Sequence, residues 1–275
     1  MTIKEKLKGF PKIHALVLAG EEGQGRKNRF IKKVKDLELS YKICEVKRYP
    51  DCDTIIEGNI TPHFKYFYPN KDNTTSAVTA NHIRMIRDWI TNSNPKEKWG
   101  LFCEGDISFE TLKYWTFNWE QFKEKIPKDT KVLQMCLISN NLSYDLGFIK
   151  RNHTHWGANM YLVERGYAQR IIKRNCNLDN ENIFNLSINE RKLGSYSPCL
   201  PEDILFTDYM FDGDKKLYIS GMYVYPLFIE DLKEKSYFNR NDNEKISHNY
   251  TFQLWESHYN NTSSLQKTLA LCTIS

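Results

Sequence analysis

Trp99-Gly100-Leu101-Phe102-Cys103-Glu104-Gly105-Asp106 is an apolar run that ends abruptly in two carboxylates. Its length and composition are those of a buried strand. Side chains two apart on an extended segment point the same way. The spacing therefore predicts that Glu104 and Asp106 converge on one small, hard, positive object. Mg²⁺ and Mn²⁺ suit that role, because both prefer oxygen ligands, and Mg²⁺ is usually held by one or two carboxylates plus substrate phosphates. Turn chemistry is the competing explanation, since solvated acids at strand ends are ordinary.

Upstream, Ile13 to Ala19 reads as a buried strand and Tyr41 to Val46 as a second. Between them the spacing of Phe30, Val34 and Leu37 predicts a basic helix from about Arg26 to Leu37. Strand, helix and strand in that order open a parallel α/β sheet. Residues 51–73, with Pro62, Pro69 and many Asn and Asp, read as a surface excursion. A helix over 76–91 carries Val78, Ile83, Met85, Ile86, Trp89 and Ile90 as a wide apolar stripe. Beyond the Trp99 strand, the pattern predicts a helical region over 109–125, strands over 131–138 and 158–163, and a helix over 166–173. Pro201 to Phe211 reads as a helix, Leu217 to Val224 as one or two strands, and 265–272 as a short helix. With no internal repeat and no linker, the expectation is a single α/β domain with a mostly parallel central sheet flanked by helices.

The 275 residues are 40% hydrophobic and 27% charged, a globular composition with enough apolar surface for a real core. Aromatic residues reach 13%, a surplus that supplies flat faces for sugars and bases as well as core. A net charge of +5 is compatible with a phosphorylated ligand and weaker than the basic excess of a dedicated nucleic-acid binder. Nucleic acid is thus permitted as a partner but not favoured. Seven Cys without a C-x-x-C pair read as free thiols in a reducing compartment, with no zinc site. No secretory signal or bilayer-spanning apolar run is visible, so the expected location is cytoplasmic.

Gly20-Glu21-Glu22-Gly23-Gln24-Gly25 separates the first strand from the basic helix. Glycines let a loop bring backbone N–H groups close to a phosphate, and the following helix N-terminus adds favourable potential. Ala19 and Gly20 at the strand end, with Arg26 and Arg29 beyond, are the candidate contacts to that phosphate. The order G-x-x-G-x-G reverses the dinucleotide fingerprint, yet Glu45 stands where a ribose-binding acid would sit. A dinucleotide oxidoreductase is therefore the rival enzyme class. Asn81-His82 reads locally as a polar pair at the edge of the 76–91 helix; read functionally, with that helix beside the Trp99 strand, His82 lies near the same ligand. His153 and His155 lack a third metal ligand nearby, and ring contact with a sugar suits them better. Pro201-Glu202-Asp203 suits the first turn of a helix. Read chemically, Asp203, with Glu202 beside it, is a general base for a hydroxyl within hydrogen-bond reach. His248 is a late candidate for a metal shell opposite the carboxylates.

Taken in order, these blocks resemble glycosyltransferase family 25, the group that includes lipopolysaccharide and collagen galactosyltransferases. The first strand with Arg26 and Arg29 on its basic helix resembles the family's opening. Ala80-Asn81-His82-Ile83 resembles its Ser-His helix, and Leu101 to Asp106 its apolar strand ending in acids. Trp156 to Val163 with Gly166-Tyr167-Ala168, then Pro201-Glu202-Asp203, resemble its later Gly-Thr-x-Ala-Tyr-Leu and Pro-Val-Asp blocks. The resemblance covers about residues 12–210. It implies a Rossmann-like GT-A fold, with a nucleotide-sugar half over about 12–140 and an acceptor half over about 141–275. It also implies a nucleotide-diphosphate sugar donor, a glycan or protein acceptor, and Mn²⁺ or Mg²⁺. In that scheme Asp106 binds the metal, Glu104 the metal or the donor ribose, and Asp203 is the base if the reaction inverts. The chain has Glu104 where the family has Asp, and Asn81 where it has Ser. The first departure motivates an alternative, a catalytically inactive relative that binds the donor without turnover.

Overall fold

A computed structural model describes residues 1–46, 74–139, 142, 144–152, 155–175, 210–212, 215–217, 221–232 and 242–261. The helices are α1 (Ile3–Lys6), α2 (Gly20–Asp36), α3 (Thr74–Asn92), α4 (Trp119–Lys125), α5 (Arg165–Asn175) and α6 (Asp242–Asn261). The longer strands are β1 (Ile13–Leu18), β2 (Tyr41–Val46), β3 (Trp99–Glu104), β5 (Val132–Cys136), β9 (Met160–Glu164) and β12 (Met222–Glu230). Short pieces complete the set: β4 (Ile107–Ser108), β6 (Ile138–Ser139), β7 (Ile149–Lys150), β8 (His155–Trp156), β10 (Met210–Asp212) and β11 (Lys215–Leu217).

The central sheet runs β2-β1-β3-β9-β5-β12-β4, with β7 also on β12. β1 is parallel to β2 and β3, and β12 is parallel to β5. β9 is inserted antiparallel between β3 and β5. The other long strands described therefore share one direction and open their carboxyl ends on one edge, as expected for an α/β sheet with a mostly parallel core. Because the strands are buried on both faces, alternate residues feed two cores. Ile13, Ala15, Leu101, Cys103, Met160 and Leu162 join Phe30 and Val34 of α2. Leu16, Phe102, Tyr161 and Val163 join Ile83, Ile86 and Trp89 of α3 and Tyr167 and Ile171 of α5. So α2 and α3 cover opposite faces.

Several elements differ from expectation for identifiable reasons. α2 starts at Gly20, not near Arg26. Gly20 has φ +80°, and a Cβ on Gly23 would stand 1.8 Å from the Leu18 carbonyl oxygen, so the chain turns from strand directly into helix. The expected glycine loop is thus the first turns of α2. The region 109–125 divides into a 3₁₀ turn, Glu110–Tyr114, and α4, which opens with a capping box between Asn118 and Gln121. Met210 and Phe211 are in a strand, not at the end of a helix, and residues 201–209 lie outside the described residues, as do 51–73 and 265–272. α6 was not anticipated; its sequence carries a weak apolar stripe. Trp255, Phe252 and Leu254 pack it on the core, and polar anchors add to that. Ser247 Oγ accepts from the Ser139 N–H at 2.9 Å and donates to the Ser139 carbonyl at 2.7 Å, and Trp255 Nε1–H donates to the Pro226 carbonyl at 2.7 Å.

No helix among the described residues is long and apolar enough to cross a membrane. Ser247→Ala removes both bonds to Ser139 and leaves a buried N–H unsatisfied, so unfolding in urea should show a loss of about 1–3 kcal/mol. A pH effect follows from His14 of β1, which is buried against Phe102 with its Nδ1 unpartnered. Burial first, then Lys12, pushes its pKa down from 6.5 to about 4. The unfolded chain binds the extra proton in that window, so His14 supports the fold fully above about pH 6.5 and loses that support as pH falls toward about 4. In His14→Phe, the slope of stability against pH across this window should flatten.

Candidate functional site

The carboxyl ends of β1, β2 and β3 lie side by side. Ligands of open α/β sheets bind outside such ends. Ala19 follows β1 and starts α2; its N–H donates to the Val46 carbonyl at 2.7 Å, and no side chain caps the helix. The positive end of a 17-residue helix therefore faces the edge between β1 and β2. Glu104, the last residue of β3, is opposite Leu16 of β1. Its N–H donates to the Asn159 carbonyl at 2.9 Å, which ties the β3 exit to the entry of β9.

The next two residues redirect the chain. Gly105 N–H donates to the Leu16 carbonyl at 2.9 Å, and a Cβ there would meet Val17 Cγ1 at 2.7 Å. Only glycine lets the two segments approach this closely. After the turn, β4 pairs with the end of β12, Ile107 opposite Glu230, and the Asp231 N–H donates to the Asp106 carbonyl at 2.5 Å. The extended geometry behind the expected convergence thus ends at Glu104, and the two carboxylates meet different helices. Arg26 Nη1–H of α2 donates to Asp106 Oδ2 at 2.9 Å, with the two side chains 10% and 6% exposed. Glu104 Oε1 instead meets His82 Nε2 of α3 at 3.3 Å and keeps 27% of its side chain open. Both acids still share one edge with Glu230. Burial, then the charges of Glu230, Asp106 and Glu104, push the Cys136 thiol well up.

The remaining candidates divide. His82 is fully buried, and its Nδ1 lies 2.8 Å from the hydroxyl of buried Tyr161, a residue that the sequence reading passed over. The signal was there: Tyr161 is a polar-tipped aromatic in an otherwise apolar strand core. Glu45 forms an ion pair with Lys27 of α2. Arg29 is exposed on α2 with its guanidinium near Gly25. His248 Nδ1 lies 2.8 Å from the Glu230 carbonyl, which only accepts, so Nδ1 carries the hydrogen. Because Glu230 pairs with Ile107, His248 sits one strand from the acidic turn. Lys33, one of the basic residues clustered on α2, reaches Asp231 Oδ2 at 2.6 Å beside the same turn. His155 is buried in the β6–β8 pair and accepts from the Asn152 N–H at 3.3 Å. Glu202, Asp203 and His153 lie outside the described residues.

Among the described residues no group of three or more His, Cys, Asp or Glu is arranged to hold a metal. A cation that arrives with phosphate oxygens needs only one or two carboxylates. Glu104 fits that need through its open part, whereas Asp106 Oδ2 already receives a guanidinium. No protein-family model matches the chain, and no curated protein matches it either.

Arg26→Ala would strand a buried carboxylate and should destabilise the protein by about 3–5 kcal/mol in denaturant unfolding. Replacing both partners, Arg26→Met with Asp106→Leu, should recover most of that loss, because the desolvated charges go together.

Proposed function

We propose that this chain is a glycosyltransferase that takes a sugar from a nucleotide-diphosphate donor and passes it to a hydroxyl of a glycan or protein acceptor, in the cytoplasm, on a GT-A type fold. One observation carries the proposal. The partly open Glu104 carboxylate, pinned from behind by a buried histidine, stands on the same sheet edge as the N-terminus of α2. The free thiols Cys44, Cys103 and Cys136 suit a reducing compartment.

In this scheme the diphosphate lies over the start of α2 at Ala19 and Gly20, where helix potential and Arg29 offset its charge. Arg26 acts through Asp106, holding the acidic turn in place. Glu45, salt-bridged to Lys27, borders the nucleoside end. Glu104 would hold Mn²⁺ or Mg²⁺, with Asp106 and His248 as the other candidate ligands. Bound there, the cation supplies Lewis-acid neutralisation of the leaving diphosphate. Asp203, with Glu202 beside it, takes the proton from the acceptor hydroxyl if the reaction inverts. The mild net charge of +5 does not favour nucleic acid as acceptor.

A binding protein without turnover is the second reading, favoured by the guanidinium that Asp106 Oδ2 already holds. Thermal unfolding with a panel of nucleotide sugars and nucleoside diphosphates, each with Mn²⁺, tests the proposal. A ligand at a hundred times its Kd should stabilise the fold by about 2.7 kcal/mol. Glu104→Gln, whose amide oxygen can still accept from His82 Nε2–H, should nearly keep the unliganded melting temperature and lose most of the shift. Absence of any shift at millimolar ligand would contradict the proposal. Release of nucleoside diphosphate with sugar transfer, against binding alone, separates the enzyme from the inactive relative.

A further inference from the structure

We infer that Tyr161 is a positioning residue for the Glu104 carboxylate, acting through the ring of His82. The inference rests on the function proposed above only for what Glu104 holds; the chain of hydrogen bonds stands on geometry.

An ionised carboxylate has only acceptor sites, so the 3.3 Å contact between His82 Nε2 and Glu104 Oε1 requires the hydrogen on Nε2. In a neutral ring Nδ1 is then an acceptor, and the Tyr161 hydroxyl 2.8 Å away donates to it. Tyr161 keeps its hydrogen, because burial first, then the charge of Glu104, raises its pKa well above the usual phenol range. The result is a directed chain: Tyr161 O–H to Nδ1, and Nε2–H to Glu104. Both inner members are fully buried, so their polar atoms have no solvent alternative.

The backbone holds the chain in place. Tyr161 is opposite Phe102 in the β3–β9 ladder, and their rings stack at 5.6 Å. His82 sits on α3 directly over that pair, with its ring 5.7 Å from that of Tyr161. Glu104 lies two residues beyond Phe102 on the same face of β3. The rigid parts are thus at the buried end and the ligand-facing oxygen at the open end. Groups that orient a metal-binding carboxylate or imidazole typically change metal affinity by 10–100-fold when removed.

Tyr161→Phe keeps the stacked ring and removes only the hydroxyl. Two readouts are taken on the full chain: ¹⁵N shifts of the His82 ring, and binding of Mn²⁺ in the presence of UDP, followed by the electron paramagnetic resonance signal of free Mn²⁺. In the wild type, Nε2 should be protonated and Nδ1 unprotonated. In Tyr161→Phe the Nδ1 resonance should move and Mn²⁺ affinity fall about tenfold or more, with circular dichroism unchanged. His82→Gln, whose amide N–H can stand in for Nε2–H, should retain more Mn²⁺ affinity than His82→Ala, which keeps the test open if Tyr161→Phe does not fold. A wild-type ring protonated on Nδ1 alone, or an Nδ1 resonance and Mn²⁺ affinity unmoved in Tyr161→Phe, would overturn the inference. If the wild type binds no Mn²⁺ with UDP, the proposed role of Glu104 fails, and the ring shifts alone still decide the chain of hydrogen bonds.

Discussion

The buried ion pair of Arg26 with Asp106 constrains everything around it. Two charges withdrawn from water must stay together, since either one alone is strongly unfavourable in the interior. Arg26 projects from the second turn of α2, and Asp106 from the turn after β3. Holding them 2.9 Å apart fixes where the helix crosses the sheet edge. It also fixes how the chain leaves β3, through a glycine so close to Val17 that no side chain fits. Beside the same turn, Asp231 after β12 donates its N–H to Asp106 and pairs with Lys33 of α2, fastening β12 and α2 together.

Once Asp106 is drawn to the α2 face, Glu104 is left to the α3 face. The two acids then carry different duties. Asp106 is buried and paired with Arg26. Glu104 is supported from behind and open in front, which is the arrangement a ligand-holding carboxylate needs. The antiparallel β9 contributes to this. Its direction brings the amino end of the strand to the ligand edge, so Asn159 can accept from Glu104 while Tyr161, two residues on, supports His82. A parallel strand in that position would have carried Glu164 to the edge instead.

The regular half of the fold was legible because its signals are local. The buried strand Ile13–Leu18 is a short apolar run, the half-buried edge strand Tyr41–Val46 carries alternating apolar residues, and α3 shows a wide stripe at helical spacing. What sequence could not supply came from long-range contacts. Gly20, Gly23 and Gly25 read as a loop by composition, but Gly23 is required by its approach to Leu18, and the helix runs through all three. α6 was hidden because its apolar contacts, Tyr250, Phe252, Leu254 and Trp255, crowd into one short stretch and a hydroxyl anchors the rest. At the site, the helix carrying His82 lies beside the Trp99 strand, and His82 meets Glu104 through a contact that sequence spacing does not give. The convergence of Glu104 with Asp106 assumed an extended chain through Gly105, and the turn there separates their partners. Tyr161 stands out in the sequence as a polar-tipped aromatic in an apolar strand, but its contact with His82 depends on register with β3, which local pattern does not give.

Hydrogen exchange of the backbone, measured with and without a nucleoside diphosphate and Mn²⁺, tests most directly whether this edge is the ligand site. The expected result is slowed exchange confined to the start of α2, residues 19–26, and to the β3 exit, residues 103–107. Unchanged exchange at both segments, or slowing confined to other parts of the sheet, would contradict the assignment of the β1–β3 edge as the binding site.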